Sequence, residues 1–327
     1  MTDRNLTFII PYKKDCEDRE TNLITVTHYL LHNFEANVIV LEADEKESIS
    51  SILPEDERLT TLFVPLKRGE IFYRTKYLNM MLERVKTPVV ANYDVDVLLD
   101  PRAVEEATNS ILNDTFDVVY PYESPFDGEN KIYANAGQVR LFLPFDHKVI
   151  MDKKLYEHPH KLVEETKNIL GEGCILTPQQ VAENADNGEG RMFSFHEDKW
   201  THLGYAPWST LAGHCQFVNT KKYFEYFMEN EEFVGWGPED AERLNRFIKL
   251  GARISYLSGG IVFHMEHKHP LESGKGNSHF KNNESLWKDI QEITTREEYR
   301  EKYLSWDYYE KYDHELNPYR KVSVENE

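Results

Sequence analysis

The sequence contains only three cysteines in 327 residues, Cys16, Cys174 and Cys215, and they lie far apart. Their wide spacing argues against a disulfide framework or a cysteine-ligated metal site and favours a reducing compartment. The sequence also lacks an apolar run of about 18 residues and a signal-peptide pattern before its first strand. We therefore expect a cytoplasmic protein without a transmembrane segment, attached at most peripherally to the inner face of a membrane.

Basic residues are scarce as well, because 38 Lys+Arg stand against 57 Asp+Glu, for a formal net charge of -19. Nucleic acids and anionic lipids are bound through a basic surface, so neither is expected as a partner. A chain that is 40% hydrophobic and this long can bury one large core or two small ones.

Apolar runs alternate with helical patterns over the first hundred residues, which predicts an α/β protein with a parallel sheet and right-handed crossovers. Ligands of such sheets bind at the carboxyl ends of the strands. Tyr12, Glu42 and Asp94 fall at those ends. The predicted strands are 6–12, 37–42, 62–65 and 87–93, and the predicted helices are 19–33 and 72–85.

The second half of the chain is less regular. Residues 137–205 contain a helical pattern at 155–170 and are interpreted as an insertion or lid, since long loops in compact domains are often functional. From about Glu284 onward the chain has a helical pattern and is acidic and rich in aromatics. We expect those aromatics to pack on the body of the protein rather than to bind ligand. Strands are predicted at 213–218, 252–257 and 260–264, and helices at 221–230 and 241–251.

Asp94-Val95-Asp96 directly follows the fourth strand. Strand alternation places both carboxylates on one side, where they could bind a hard divalent cation. Acids exposed in a loop are the plainer alternative. The helix before them opens with Arg74 and Lys76, near the end that favours anions. A basic helix face exposed to solvent would give the same pattern.

A second acidic motif is Gly235-Trp236-Gly237-Pro238-Glu239-Asp240. The two glycines allow a sharp turn around the indole, which places an apolar platform beside an acid pair. A sugar ring could rest there while a carboxylate takes a proton from one of its hydroxyls. Further along, His264 ends a strand and could complete a metal site, with His267 and His269 as alternatives.

The order of these motifs resembles the nucleotide-sugar glycosyltransferases of the GT-A fold. The nearest groups are the family 2 enzymes, the chondroitin-polymerase domains and the β-1,4-galactosyltransferases. The resemblance spans about residues 6–270 and omits 137–205. It implies a Rossmann-like, mostly parallel sheet flanked by helices in a domain at 1–270, with a nucleotide-binding half at 1–100, an acceptor-binding half at 206–270 and a helical extension at 271–327.

The resemblance implies a metal-dependent, inverting hexosyltransferase of polysaccharide biosynthesis. It would move a hexose or N-acetylhexosamine from a UDP-sugar to a saccharide or glycoconjugate acceptor, with Mn²⁺ or Mg²⁺ as cofactor. Asp240 would be the general base and Glu239 would bind the acceptor. Trp236 and Gly237 would form the acceptor platform, and Asp96 and His264 would bind the metal. The expected nucleotide-sugar-binding residues are Pro11, Tyr12, Glu42, Asp44, Arg74, Asn79 and Asp94.

Two other functions remain open. A sugar nucleotidyltransferase would carry a glycine-rich phosphate loop after the first strand, where this chain has Pro11-Tyr12-Lys13-Lys14-Asp15. A non-catalytic sugar- or nucleotide-binding protein would not need the acids at 94, 96, 239 and 240. The donor sugar, the acceptor and the oligomeric state are left undetermined, and the sequence is compatible with an oligomer.

Overall fold

The computed structural model describes residues 4–122, 138–141, 190–196, 199–206, 212–257, 262–265, 267–268 and 274–321. For 138–141, 190–196, 199–206, 263 and 264 the description is of the backbone. The helix predicted at 155–170 and most of the interpreted insertion lie outside the described residues.

The strands within these residues are β1 (Leu6–Tyr12), β2 (Asn37–Asp44), β3 (Leu59–Pro65), β4 (Val89–Tyr93), β5 (Val97–Leu99), β6 (Val118–Tyr120), β7 (Gln138–Leu141), β8 (Gly190–His196), β9 (Lys199–Ala206), β10 (Cys215–Asn219), β11 (Ile254–Tyr256) and β12 (Val262–Met265). The helices are α1 (Glu17–Asn33), α2 (Ile49–Ile52), α3 (Arg74–Leu82), α4 (Pro101–Leu112), α5 (Thr220–Glu225), α6 (Glu239–Leu250), α7 (Phe280–Gln291) and α8 (Arg296–Leu304), followed by a 3₁₀ turn at Tyr308–Lys311.

The central sheet has seven strands in the order β11-β6-β10-β4-β1-β2-β3. The pairs β1–β2, β1–β4, β2–β3 and β6–β11 are parallel, while β10 runs antiparallel to both of its neighbours. Every residue of β1 and of β4 is buried, which is typical of strands covered by helices on both faces. The predicted α/β class with a mostly parallel sheet is confirmed.

The carboxyl ends of the central strands meet at one edge of this sheet. Tyr12 pairs with Glu42, and β4 ends at Tyr93, immediately before Asp94. A small sheet, in the order β5-β12-β7, continues from there. Its strand β12 pairs His264 with Val97, and the Met265 N–H donates to the Asp96 carbonyl at 2.7 Å. The backbone of β12 therefore lies beside the Asp94–Asp96 segment.

Two of the differences from the sequence-based prediction concern the second half of the chain. The helix expected at 221–230 ends at Glu225, because Phe227 and Met228 adopt left-handed φ values of 67° and 54°. This turn buries the Phe227 ring and brings Glu229 to Arg243, with which it forms a buried ion pair. Part of the irregular region is also ordered, as the antiparallel hairpin of β8 and β9.

The C-terminal helices pack on the body of the protein through buried tyrosines. The Tyr303 hydroxyl donates to Glu242 of α6, and the Tyr308 hydroxyl donates to the Phe227 carbonyl at 3.0 Å. Tyr319 stacks on Phe227 with ring centroids 4.6 Å apart. No helix in the described part of the chain is both long enough and apolar enough to cross a membrane.

Candidate active site

Arg74, the first residue of α3, connects the two acidic motifs. Its Nη2 donates to Asp94 Oδ1 at 2.6 Å, and its Nη1 lies 3.6 Å from Asp240 Oδ1. All three side chains are partly accessible, with exposed fractions of 17%, 26% and 30%. One guanidinium thus joins the carboxyl end of β4 to the N-terminus of α6, across 146 residues of sequence.

Asp240 is held by Arg243, which also forms a buried ion pair with Glu229. The Nη2 of Arg243, one helical turn further along α6, donates to Asp240 Oδ1 at 2.6 Å. The Arg243 Nη1 donates to Glu229 at 2.9 Å, and its Nε donates to Gln216 at 2.7 Å. Burial alone would raise the pKa of Asp240, but the charges of Arg243 and Arg74 outweigh burial and lower it. Asp240 is therefore an ionised carboxylate in a fixed position.

Glu239 lies beside Asp240, but its pKa is shifted in the opposite direction. It is buried, and its Oε2 accepts a hydrogen bond from the Gly237 N–H at 2.9 Å. Burial and the neighbouring charge of Asp240 raise the pKa of Glu239 to about 8. The pair therefore combines a protonated and an ionised carboxyl group near neutral pH.

The turn before this pair exposes an aromatic surface. The side chain of Trp236 is 42% exposed and stacks on Phe280 of α7, with ring centroids 5.5 Å apart. Gly235 has φ +73°, a conformation that favours glycine. The predicted turn around the indole is present, and the Gly237 N–H contacts the carboxyl group of Glu239.

Asp96 is buried and meets a histidine and an arginine. The His267 Nε2 lies 3.0 Å from Asp96 Oδ2, and the Arg19 Nη1 donates to the same oxygen at 3.2 Å. The Nδ1 of His267 is 2.9 Å from the Lys268 carbonyl, which can accept a hydrogen bond from an N–H at that nitrogen. Burial lowers the pKa of His267, but the hydrogen bond to Asp96 and the charge of Asp96 outweigh burial and raise it. The imidazole therefore donates from Nε2 to the carboxylate, and it would have to release that proton to bind a metal.

These two side chains suit a divalent cation as a pair of ligands. A carboxylate oxygen and an imidazole nitrogen match manganese-class cations, which complete their coordination with phosphate oxygens and water. The Arg19 guanidinium contacts the same oxygen of Asp96 and would have to move away when a cation binds. Within the described ranges, no cluster of three or more His, Cys, Asp or Glu side chains is arranged to hold a metal.

The predicted metal ligand His264 lies in β12, opposite Val97. The contact with Asp96 is made by His267, the second of the three histidines considered from the sequence. His269 lies outside the described residues. A metal-binding role stays a prediction for each of them, and for His267 the structure describes a contact to Asp96.

The predicted uridine-binding residues lie at the ends of β1 and β2. Pro11 and Tyr12 are buried at the end of β1. Glu42 is also buried, and its carboxylate accepts hydrogen bonds from the Ser48 N–H at 2.7 Å and the Ile49 N–H at 3.2 Å, which holds the start of α2. Asp44 is more accessible, and its Oδ2 accepts from the Lys14 N–H at 3.2 Å.

Asn79 lies inside the protein, where its amide group is occupied. Its Nδ2 donates to the Glu229 carbonyl at 3.0 Å and to Glu231 Oε1 at 2.9 Å, and its Oδ1 accepts from the Glu229 N–H at 2.8 Å. These contacts hold the left-handed segment before the Gly-Trp-Gly turn. They give Asn79 a structural function, and donor binding by this residue stays a prediction.

Several residues at the site were not identified from the sequence. Arg243 lies three residues after Asp240, so the helical spacing of an acid and a base could have indicated it. Arg19 lies in the first turn of α1 and carries no local signal for a contact with Asp96. The same holds for Asn277 and Asn283, whose amides bind the backbone of the Gly-Trp-Gly turn.

Comparison with known sequences agrees with this architecture. Residues 205–268 match the family model described as the N-terminal domain of galactosyltransferase. The matched segment contains the Gly-Trp-Gly turn, the acid pair and β12. The predicted resemblance to glycosyltransferases is therefore confirmed for this segment of the chain. No curated protein matches the sequence.

Several solved structures are similar to the chain. Three of these are residues 1–349 of S. aureus TarS, with 12% identity and TM-score 0.42; the mannosyltransferase PcManGT from Pyrobaculum calidifontis in complex with GDP-Man and Mn²⁺, with 12% and 0.45; and GalNAc-T7 with UDP, GalNAc and Mn²⁺, with 10% and 0.48. The matches cover 80%, 90% and 88% of this chain and 60%, 66% and 48% of the respective relatives.

Proposed function

We propose that the protein is a metal-dependent, inverting glycosyltransferase that moves a hexose or N-acetylhexosamine from a UDP-sugar to a hydroxyl of a saccharide or glycoconjugate. The observation that carries the proposal is the position of Arg74 between Asp94 and Asp240. This contact makes one continuous site from two acidic motifs. We call Asp94, Asp96, Arg74 and His267 the donor half, and Trp236, Glu239 and Asp240 the acceptor half.

In the donor half, Asp96 and His267 would hold the cation, and Asp94 and Arg74 would contact the sugar nucleotide. The cation supplies charge neutralisation for a departing nucleoside diphosphate. Pro11, Tyr12 and Asp44 would border the uridine at the strand ends. Glu42 and Asn79 would support the site without contacting the donor, because their polar atoms already bind the protein backbone.

In the acceptor half, Asp240 would remove the proton from the attacking hydroxyl. A carboxylate held by two arginines is a weak base. A donor phosphate that attracts Arg74 would leave Arg243 as the remaining cation on Asp240 and raise its proton affinity. Donor binding would in this way prepare the base. A base on the face opposite the leaving group implies a single displacement with inversion.

Glu239 would bind the acceptor as a protonated acid. With its pKa near 8, it can donate a hydrogen bond to a sugar oxygen while Asp240 stays ionised. The exposed indole of Trp236 would support the apolar face of the same ring. Glu239 would thus orient the acceptor, and Asp240 would accept its proton.

A screen of UDP-galactose, UDP-N-acetylgalactosamine and UDP-glucose with Mn²⁺ tests the proposal. Binding is measured by calorimetry, UDP release by a coupled assay, and the anomeric configuration of the product by NMR. We expect Mn²⁺-dependent binding of one donor, UDP release with a saccharide acceptor, and inversion at the anomeric carbon. Binding without UDP release would instead favour a non-catalytic binding protein, and pyrophosphate release from UTP and a sugar 1-phosphate would favour a nucleotidyltransferase.

A further inference from the structure

The Gly-Trp-Gly turn is held by two asparagines from the C-terminal part of the chain. Asn283, in the first turn of α7, donates from Nδ2 to the Val234 carbonyl at 3.0 Å and to the Trp236 carbonyl at 3.3 Å. Its Oδ1 accepts from the Val234 N–H at 3.3 Å. Asn277 donates from Nδ2 to the same two carbonyls, at 3.2 Å and 2.8 Å.

The glycines of the turn are packed directly against these amides. A Cβ atom added at Gly235 would lie 2.6 Å from Asn277 Nδ2, and one added at Gly237 would lie 2.6 Å from Asn283 Nδ2. Both separations are far below van der Waals contact. The absence of side chains at 235 and 237 therefore lets the amides reach the backbone, in addition to allowing the turn itself.

Both asparagine side chains are nearly inaccessible, with exposed fractions of 5% for Asn277 and 2% for Asn283. A buried amide that loses its partners is costly, and so is a backbone carbonyl left without a donor. The four N–H···O contacts converge on two carbonyls, so the turn has little freedom to move while both amides are in place. Asn283 and Asn277 also lie on either side of Phe280, which stacks on Trp236.

We propose that Asn277 and Asn283 are positioning residues for the acceptor half, and that the segment 274–283 belongs to the active site. They fix the Trp236 carbonyl, and with it the direction of the indole and the Gly237 N–H that binds Glu239. The inference deepens the proposed function and rests on it for the identity of the acceptor. It makes the start of the C-terminal extension a determinant of acceptor binding.

The test compares Asn283→Asp with Asn282→Asp in the full-length protein. The first change replaces the amide donor by an oxygen facing two carbonyl oxygens, while the second makes the same change at an exposed neighbour on α7. We expect N283D to raise the KM for acceptor by roughly tenfold or more, through the loss of two hydrogen bonds and new repulsion. The Kd of the UDP–Mn²⁺ complex should be the same in N283D and N282D.

Hydrogen exchange of the backbone amides at 234–237 gives a readout that does not require activity. We expect these amides to exchange at least about five times faster in N283D than in N282D, since the turn opens more often without its donors. Asn277→Asp provides a second variant with the same expectation, in case N283D does not fold.

The outcomes separate the inference from the proposed function. If no nucleotide sugar is turned over by the wild-type protein, the proposed function fails, and hydrogen exchange still decides whether the asparagines hold the turn. Equal exchange rates in N283D, N277D and N282D would overturn the inference. It would also be overturned by a parallel loss of affinity for UDP–Mn²⁺, because that result would indicate a general structural role.

Discussion

The donor half and the acceptor half of the proposed site are held by different kinds of contact. In the donor half, carboxylates meet cations: Asp94 meets Arg74, and Asp96 meets Arg19 and His267. A bound metal ion could replace the cations that contact these carboxylates, and a diphosphate could replace the carboxylate that contacts Arg74. In the acceptor half, Asp240 rests on a buried arginine and the Trp236 turn on buried amides. An acceptor hydroxyl cannot replace those contacts.

The difference suggests that the donor half rearranges on binding while the acceptor half is already formed. Arg74 is the residue that belongs to both, since it contacts Asp94 and approaches Asp240. A ligand that attracts its guanidinium changes the charge around the base without moving α6. Changes in the two halves should therefore have separable effects on binding, chemistry and stability.

The largest effect is expected from Asp240→Asn, which preserves the shape of the side chain but removes the proton acceptor. We expect kcat to fall about 10²- to 10⁴-fold, the usual contribution of general base catalysis. Affinity for UDP–Mn²⁺ should change little, because the donor half is intact. Steady-state kinetics and calorimetry measure the two quantities. A matching loss of donor affinity would contradict the assignment of Asp240 as base.

Replacing Arg243, which holds Asp240, tests whether the buried ion pair of Glu229 and Arg243 stabilises the acceptor half. Arg243→Met keeps much of the apolar stem and leaves Glu229 buried without its cation. We expect the free energy of unfolding to fall by about 3–5 kcal/mol in urea denaturation. The surface pair of Lys222 and Glu225 supplies the control, and Lys222→Met should cost less than about 1 kcal/mol.

Charge removal at both positions should restore part of the stability lost in Arg243→Met. The double variant Glu229→Gln, Arg243→Met contains no buried charge without a partner. If it is no more stable than Arg243→Met alone, the loss comes from packing rather than from the uncompensated carboxylate, and the ion pair does not have the importance assigned to it.

Much of the donor half could be predicted from the sequence, because its signals are local. Continuous apolar runs indicated β1 and β4, and the acids Asp94 and Asp96 directly follow the latter. Arg74 opens a helix whose positive end favours anions. The sequence could not choose among the histidines, since their loop spacing carries no information about which side chain reaches Asp96.

The acceptor half was less predictable, because distant parts of the chain determine its geometry. The Glu229–Arg243 pair requires the left-handed turn at Phe227 and Met228, which ends a helix that the pattern extended to residue 230. The Asn79 amide binds a backbone 150 residues away. Asn283 reaches the turn from a helix assigned to a separate extension. None of these contacts produces a periodic pattern.

The cation site is tested by Asp96→Asn and by a comparison of His267→Gln with His264→Gln. At a UDP–Mn²⁺ concentration of about 100 times Kd, the wild-type protein should gain about 2.7 kcal/mol of stability. We expect that gain to be lost in D96N and reduced in H267Q, because Asp96 and His267 would hold the cation. Thermal denaturation with and without ligand provides the measurement.

The D240N variant is the control for this experiment, and it should retain the full stabilisation by ligand. A greater loss of stabilisation by UDP–Mn²⁺ in H264Q than in H267Q would indicate that His264 binds the metal. Unchanged stabilisation in D96N would rule out a cation at Asp96 and would leave the donor half without the charge neutralisation proposed for it.

The most gradual effect concerns Glu239, whose pKa of about 8 makes stability depend on pH. Its usual pKa of about 4.3 applies in the unfolded chain, so between these values the folded protein holds a proton that the unfolded chain releases. The free energy of unfolding must then fall as pH rises, by at most about 1.4 kcal/mol per pH unit for one group. Glu239→Gln carries no such proton. We therefore expect the difference in stability, variant minus wild type, to increase between pH 5 and pH 8 in urea denaturation. A difference that stays constant over this range would show that Glu239 is ionised in the folded protein, and the division of roles between Glu239 and Asp240 would be wrong.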